Sequence, residues 1–199
     1  KFKEHQEKSR TASKGMFKGG LLGHSEVETK YHTATHLLNA ALKKVIGPAT
    51  YQMGSNITTE RLRFDFPCDH KLSLDEKEKV EALVNKWIEE DYNVVKEEMS
   101  KEAAIKSGAE CRFIEKYPDI VTVYSIGDFS KELCGGPHVI HTGELGRFKI
   151  TKEESSGAGV RRIKAILEDK NGFLCEAVWF NRKYLSTQLK ISENKKIID

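Results

Sequence analysis

The spacing of apolar positions predicts two long helices, each with one apolar face. In the first, apolar residues recur every three or four positions before a stop at Gly47-Pro48, at Tyr31, Ala34, Leu38, Ala41, Leu42 and Val45. The second carries Val80, Leu83, Val84, Trp87 and Ile88 on one face. Both patterns follow a capping-box sequence, in which a serine and a glutamate three positions later bond free backbone amides (Ser25 with Glu28, Ser73 with Glu76).

Strand patterns occupy much of the remaining middle of the chain. Alternating residues at 61–66 indicate a half-buried strand, and the β-branched run at 120–126 indicates a central strand. Further strands are predicted at 94–99, 146–152 and 160–167, and a short helix at 101–106. Because helices and strands do not alternate regularly, we predict an α+β fold with a mainly antiparallel sheet packed with helices.

The two ends differ from this middle region. Residues 1–14 are highly charged, and the glycine-rich stretch at 16–23 is typical of a connector. A last amphipathic helix is predicted from about residue 173, with Trp179 on its apolar face. The predicted organisation is therefore a linker helix and connector at 1–23, one domain at 24–168 and a C-terminal helix at 169–199.

Composition indicates an ordinary globular chain and does not identify its function. Of 199 residues, 38% are hydrophobic and 32% are charged. No apolar run approaches the roughly 18 residues of a membrane span, and no signal sequence is visible, so we expect no membrane partner. Four widely spaced cysteines favour a reduced, cytoplasmic setting, and the missing initiator Met suggests a piece of a longer protein. The net charge of +3 comes from 33 basic and 30 acidic residues, which on charge alone favours a mixed solvated surface.

Four residues in two segments have the spacing of a metal site. His32 and His36 lie four positions apart within the first helix, so both imidazoles project from one face. Cys134 and His138 flank a Gly-Gly-Pro turn just after the predicted central strand. Either pair alone is weak, but together they supply three imidazoles and one thiolate. That set suits tetrahedral Zn²⁺, held between a helix and a loop.

Two familiar zinc proteins do not fit this spacing. A metalloprotease helix needs a glutamate directly after its first histidine to act as general base, and Thr33 stands there. A zinc finger brings its ligand pairs close together in sequence, whereas about a hundred residues separate these pairs. The ligands therefore frame a whole domain.

Five ordered segments resemble one family. They are HTATHLL from position 32, QMGS from 52 with RLRFDF from 61, FSKELCGGPHV from 129, GELGRFKI from 143 and GAGVRRIKA from 157. Over residues 24–167 these segments resemble the editing domain of alanyl-tRNA synthetase. The resemblance implies an aminoacyl-tRNA hydrolase that removes serine or glycine from tRNA for alanine, by binding its acceptor end. Nothing resembles the ATP-binding core of a class II synthetase, so we expect no aminoacylation.

Two departures from the family pattern keep alternatives open. Most alanyl-type sequences have threonine at the position of Pro137, and a proline there resembles the editing domain of threonyl-tRNA synthetase. The GVRRIKA segment favours the alanyl type. The glycine-rich barrel that usually precedes HxxxH is missing, which leaves its tRNA contacts unassigned. The chain is expected to be an excised part of an alanyl-tRNA synthetase, which then supplies partners, or a freestanding editor. A zinc module that only binds tRNA is the non-catalytic alternative.

The resemblance also implies roles for individual residues. Thr35 is expected to bond the serine side chain of the substrate, unless it only packs within its helix. Gln52 is expected to position water or substrate, unless it is simply a polar strand residue. Arg161 and Arg162 are expected to contact tRNA phosphates, although neighbours on a strand face opposite ways. Whether the zinc is structural or catalytic stays open at this stage.

Overall fold

The computed structural model describes residues 25–111 and 117–169, and its fold there is α+β with antiparallel sheets, as predicted. The helices are α1 (Glu26–Val45), α2 (Leu74–Glu89) and α3 (Lys101–Lys106). The strands are β1 (Gly54–Ile57), β2 (Leu62–Pro67), β3 (Val94–Ser100), β4 (Ile120–Ile126), β5 (Ser130–Leu133), β6 (Arg147–Gly157) and β7 (Val160–Glu168), with a short 3-10 helix at Thr142–Leu145. The predicted linker, connector and C-terminal helix lie outside the described residues.

The strands form two separate antiparallel sheets. One has the order β1-β2-β7-β6, and the other has the order β3-β4-β5. The strand predicted to be central, β4, is indeed flanked on both sides. Strands β1 and β5 were not predicted from the sequence, because each has only four residues and neither contains an apolar run.

Both long helices begin where the capping boxes predicted. Ser25 Oγ accepts from the Glu28 amide at 3.2 Å, and the Glu28 carboxylate accepts from the Ser25 amide at 3.1 Å. Ser73 and Glu76 make the same reciprocal pair at 3.1 and 2.8 Å. These bonds satisfy amides that a helix start leaves unpaired, which fixes where each helix starts.

Helix α1 lies between the two sheets. It contacts β1 and β2 of the four-stranded sheet and β5 of the three-stranded sheet, and it also packs on α2. Every residue from 31 to 42 is buried. A helix that is buried all round has no solvent face for its polar residues, so each of them needs a partner inside the protein.

The four-stranded sheet has one apolar face and one polar face. Six fully buried side chains from β2 and β7 pack against α1 and α2: Leu62, Phe64, Phe66, Ile163, Ala165 and Leu167. Since side chains alternate along a strand, the residues between them face away from the helices. A smaller apolar cluster joins α3 to the three-stranded sheet through Ala104, Val121, Val123 and Leu133.

Membrane insertion by a helix finds no support in the described ranges. None of the helices there is both long enough and apolar enough to cross a bilayer.

Candidate metal centre

The candidate metal centre contains two histidines from the buried stretch of α1. His32 and His36 are only 1% and 4% exposed, and their ring centroids lie 5.4 Å apart. The i, i+4 spacing therefore places both imidazoles on one side of the helix, as the sequence predicted.

The loop after β5 brings the other two predicted ligands against α1. Cys134 Sγ lies 3.2 Å from His32 Nε2 and 3.4 Å from His138 Nε2. The His138 ring stacks on His32 with centroids 4.1 Å apart and meets the His36 ring at 4.5 Å. One potential donor atom from each of the four residues lies within 4.8 Å of all the others.

Hydrogen bonds fix which nitrogen of two histidines faces the centre. His32 Nδ1 lies 3.0 Å from the Pro137 carbonyl oxygen and donates to it, which leaves Nε2 with a lone pair towards Cys134. Thr33 Oγ1 donates to the Thr29 carbonyl at 3.3 Å and accepts from the Val139 amide at 3.2 Å. It therefore accepts from His138 Nδ1–H at 3.1 Å, and His138 Nε2 is likewise left unprotonated.

Burial keeps the imidazoles neutral at neutral pH. It lowers the pKa of His32 to about 3 and of His36 to about 4, and it lowers the pKa of His138 well below its usual value. Burial also raises the pKa of the Cys134 thiol to about 12. At neutral pH the centre therefore has three neutral imidazoles and one protonated thiol. A metal cation would ionise the thiol, and neutral imidazole and thiolate are the forms that bind metal.

The donor geometry fits zinc. Zn–S bonds near 2.3 Å and Zn–N bonds near 2.0–2.1 Å at tetrahedral angles place donors about 3.5 Å apart. The two separations from Cys134 Sγ, 3.2 Å to His32 Nε2 and 3.4 Å to His138 Nε2, are close to this spacing. The buried group can hold a metal ion, consistent with zinc.

A partly buried carboxylate lies behind His36. Glu132 Oε1 lies 3.7 Å from His36 Nδ1, which makes no hydrogen bond within the described part of the chain. The same oxygen accepts from Asn39 Nδ2 at 3.1 Å. Burial raises the pKa of Glu132, an effect that the bond from Asn39 opposes. Carboxylates in this place orient a ligating histidine and increase its basicity.

Sequence reasoning missed Thr33, Glu132 and Tyr124 as parts of the centre. The Tyr124 ring lies 4.3 Å from the His138 ring on the half-buried side of β4. A signal for Glu132 was present, because residues two apart on a strand face the same way and Cys134 follows it by two. Thr33 had no such signal, since it and Thr35 both flank the histidine face.

Two residues with expected substrate roles make hydrogen bonds within the protein. Thr35 is fully buried, and its hydroxyl donates to the Tyr31 carbonyl at 2.8 Å within α1. Gln52 is half-buried just before β1, and its side-chain amide donates to Ser55 Oγ at 3.2 Å. Neither belongs to the four-residue ligand group.

The two arginines expected to meet tRNA lie on opposite faces of β7, each in an ion pair. Arg161 Nε donates to Glu153 Oε1 at 2.5 Å. Arg162 makes a two-pronged bond to Asp65, from Nε at 2.7 Å and Nη2 at 2.9 Å. These carboxylates raise the pKa of both guanidinium groups. The hydrogen bonds of Arg162 to Asp65 use Nε and Nη2.

Fold and site together define a class of protein. It is an α+β domain in which a group of three histidines and one cysteine, able to hold a metal ion, lies between a helix and a loop. Residues 121–164 match the family described as the threonyl and alanyl tRNA synthetase second additional domain. The chain therefore contains a domain of this family, as its motifs indicated.

Curated relatives place the chain on the alanyl side of that family. It is 59% identical over 167 residues to an alanine–tRNA ligase of Treponema denticola, and 53% identical over 169 residues to one of Borrelia garinii. It is 50% identical over 165 residues to an alanine–tRNA ligase of Thermotoga petrophila. These alignments cover 83–85% of this chain but only 28%, 28% and 19% of the respective relatives. The chain thus spans less than a third of their length.

Proposed function

We propose that this chain hydrolyses the ester bond between serine or glycine and the 3′-terminal ribose of tRNA for alanine. The observation that carries the proposal is the buried group of three neutral imidazoles and one thiol, in a domain homologous to one region of alanine–tRNA ligases. We propose that the domain at 24–168 is the editing unit and that it acts in the cytoplasm, either within a synthetase or alone.

Such an activity is needed because binding alone discriminates poorly between alanine, glycine and serine. A pocket sized for alanine excludes glycine poorly, because one methyl group is worth only about 1–3 kcal/mol. An apolar pocket also rejects weakly a substrate that only adds a hydroxyl, as serine does relative to alanine. A second site that hydrolyses the wrong ester supplies the missing discrimination.

Each residue of the centre has a part in the proposed reaction. His32, His36, Cys134 and His138 would hold zinc. The ion would supply Lewis-acid polarisation of an ester carbonyl when one of these ligands yields or the coordination expands to five. Thr33 and the Pro137 carbonyl hold the His138 and His32 rings with Nε2 inward. Burial of the centre excludes bulk water, which strengthens electrostatic interactions with the substrate.

Substrate and tRNA contacts are assigned to residues outside the ligand group. We propose that Thr35 recognises the serine hydroxyl and that Gln52 positions water or substrate. Arg161 and Arg162 are proposed to meet phosphates near the acceptor end. Of the two, Arg162 has the terminal nitrogen left over from its pair with Asp65.

The test is amino-acid release from tRNA for alanine charged with serine, glycine or alanine. The chain is compared with a Cys134→Ala, His138→Ala double variant and with a matched Cys111→Ala, His141→Ala variant. Cys111 is half-exposed and His141 is exposed, and neither belongs to the ligand group. Release of serine and glycine but not alanine, lost only in the first variant, is the expected result.

Two other results would redirect the proposal. Faster release of serine from tRNA for threonine would favour a threonyl-type editor, the alternative that Pro137 suggests. No release by a folded, zinc-loaded chain would contradict autonomous editing and favour a zinc module that binds tRNA without hydrolysing it.

A further inference from the structure

The polar face of the four-stranded sheet carries charges at regular positions. Phe64 and Ile163 point into the core, so their strand neighbours Arg63, Asp65, Arg162 and Lys164 point away from it. Residues directly opposite each other on paired strands share a face. The strand register therefore shows which side chains form each row, where a row is a line of neighbouring side chains that crosses the strands on this face.

One row is entirely basic apart from an asparagine at its end. It runs across four strands as Asn56, Arg63, Lys164 and Lys152. We call the three cations, Arg63, Lys164 and Lys152, the basic row. Their side chains are 30%, 32% and 58% exposed, so all three reach solvent.

The neighbouring row does not neutralise the basic row. It reads Gly54, Asp65, Arg162 and Glu154, so the two rows together hold four cations and two carboxylates, a net charge of +2. Glu154 is shared by Lys152 at 2.6 Å and Lys164 at 2.9 Å. These two lysines lower the pKa of Glu154 to about 2. Each carboxylate therefore serves two cations, and half of the positive charge has no counterpart.

Arg63 provides a second, independent observation. Asp65 bonds Arg162 at 2.7 and 2.9 Å but lies 3.7 Å from Arg63, too far for a hydrogen bond. Arg63 Nε is buried and has no hydrogen-bond partner within the described part of the chain. A buried donor without a partner costs about 1–3 kcal/mol. A bound anion on the exposed part of this guanidinium would remove part of the charge excess.

We propose that the basic row is a docking surface for the phosphate backbone of RNA. Arg63 would pair with a phosphate through its planar guanidinium, and Lys164 and Lys152 would contact neighbouring phosphates as point charges. Strands lie about 4.8 Å apart, so the row spans roughly 10 Å, which is long enough to contact several neighbouring phosphates of one RNA strand.

This inference rests on the proposed function only in the choice of RNA as the polyanion. The two rows contain no aromatic side chain on which a base could stack. Contacts restricted to phosphates position a nucleic acid and carry no sequence information. The surface would therefore hold tRNA of any sequence, with strong dependence on salt.

The test is the binding of tRNA that carries no amino acid, measured by fluorescence anisotropy between about 50 and 200 mM salt. The row variant is Arg63→Gln, Lys152→Gln, Lys164→Gln. The matched variant Lys71→Gln, Lys86→Gln, Lys106→Gln removes the same charge from exposed positions away from this sheet. Each lost phosphate contact lowers the slope of log affinity against log salt by about 0.7–0.9. The row variant should therefore lose about 2–3 units of slope and at least tenfold affinity, while the matched variant keeps the wild-type slope.

Several results would overturn the proposal. Equal losses in both variants would show diffuse attraction, and an unchanged slope in the row variant would show no contact there. Equal competition by polyglutamate would favour an acidic protein partner over RNA. If circular dichroism shows that the triple variant is not folded, the single variant Lys152→Gln is tested in its place. We expect its slope of log affinity against log salt to fall by about 1. Hydrolysis of mischarged tRNA by the wild-type chain is measured separately, so its failure contradicts the proposed function and not this surface.

Discussion

At the scale of single residues, the hydroxyl of Thr33 joins the two halves of the centre. It contacts α1 through the Thr29 carbonyl and the loop after β5 through the Val139 amide and His138 Nδ1. A single side chain thus fixes the orientation of a ligand ring and holds the loop against the helix. Thr35, two positions later, donates its hydroxyl to the Tyr31 carbonyl within α1.

The two threonines should respond differently to removal of the hydroxyl. Thr33→Val leaves the buried Val139 amide unpaired, so we expect a loss of about 1–3 kcal/mol in the free energy of unfolding. Thr35→Val should lose less than about 1 kcal/mol, because the Tyr31 carbonyl keeps its helical hydrogen bond. Urea denaturation measures both. Equal losses of unfolding free energy in the two variants would contradict the role given to Thr33. A preference for the serine substrate that is unchanged in Thr35→Val would contradict the proposed role of Thr35.

Glu132 should tune the affinity for zinc. Glu132→Gln removes the negative charge 3.7 Å from His36 Nδ1, and we expect about 10–100-fold weaker binding of zinc. Competition with a chromogenic chelator measures this. Glu98→Gln on β3, where the carboxylate is exposed and its nearest partner is Lys96, is the matched control and should bind zinc like the wild type. Unchanged affinity in Glu132→Gln would show that the carboxylate does not act on the metal.

How much of the centre the sequence could predict depends on the range of the interaction. The structure brings together the four residues picked as ligands, because helical periodicity and a tight turn are local properties. Tyr124 reaches the centre only through the pairing of β4 with β5, which sequence spacing does not reveal. The ion pair of Arg162 with Asp65 likewise depends on the register between β2 and β7.

At the scale of elements, the start of β6 depends on one glycine. Gly146 has φ of +82° and ψ of −129°, a conformation that residues with a side chain rarely adopt. A Cβ at this position would overlap the carbonyl oxygen of Glu168 at the end of β7. Gly146 therefore allows β6 to begin directly against β7, after the short 3-10 helix.

Substitution of that glycine should destabilise the fold. Gly146→Ala combines an unfavourable backbone conformation with a backbone clash, and we expect a loss of about 2 kcal/mol or more in the free energy of unfolding. Gly157→Ala is the matched control, since a Cβ there meets no atom within 4 Å. Chemical denaturation of both variants is the measurement. A Gly146→Ala protein as stable as Gly157→Ala would contradict this account of the β6 start.

Elements with strong local signals were predicted within a residue or two of their bounds. Helices α1 and α2 have capping boxes, and β4 has a β-branched run. Strand β6 extends to Gly157, five residues beyond its predicted end, because irregularities in its pairing let the charged part of the strand continue beside β7. Tertiary pairing, and not local preference, decides such segments.

At the scale of the whole molecule, the candidate centre links the two sheets. Its ligands come from α1, which packs on the four-stranded sheet, and from the loop that follows β5 of the three-stranded sheet. A metal bound there would hold both sheets to the same helix. Metal binding should therefore contribute to folding as well as to chemistry.

Removal of zinc should lower global stability. A ligand present at about 1,000 times its dissociation constant adds about 4 kcal/mol to the free energy of unfolding. We expect a loss of this order when a chelator strips the metal, and little effect of the chelator on Cys134→Ala, His138→Ala. Urea denaturation with and without zinc measures the difference. Identical curves for the wild-type chain would show that the metal does not stabilise the fold.

The central claim is that His32, His36, Cys134 and His138 form the zinc centre of an editing hydrolase. Its most direct test is serine release from tRNA for alanine by the zinc-loaded chain, the stripped chain and the stripped chain given one equivalent of zinc. We expect release by the first, its loss in the second while circular dichroism still shows a folded protein, and its return in the third. Serine release that continues at the same rate in the folded, zinc-free chain would contradict the claim.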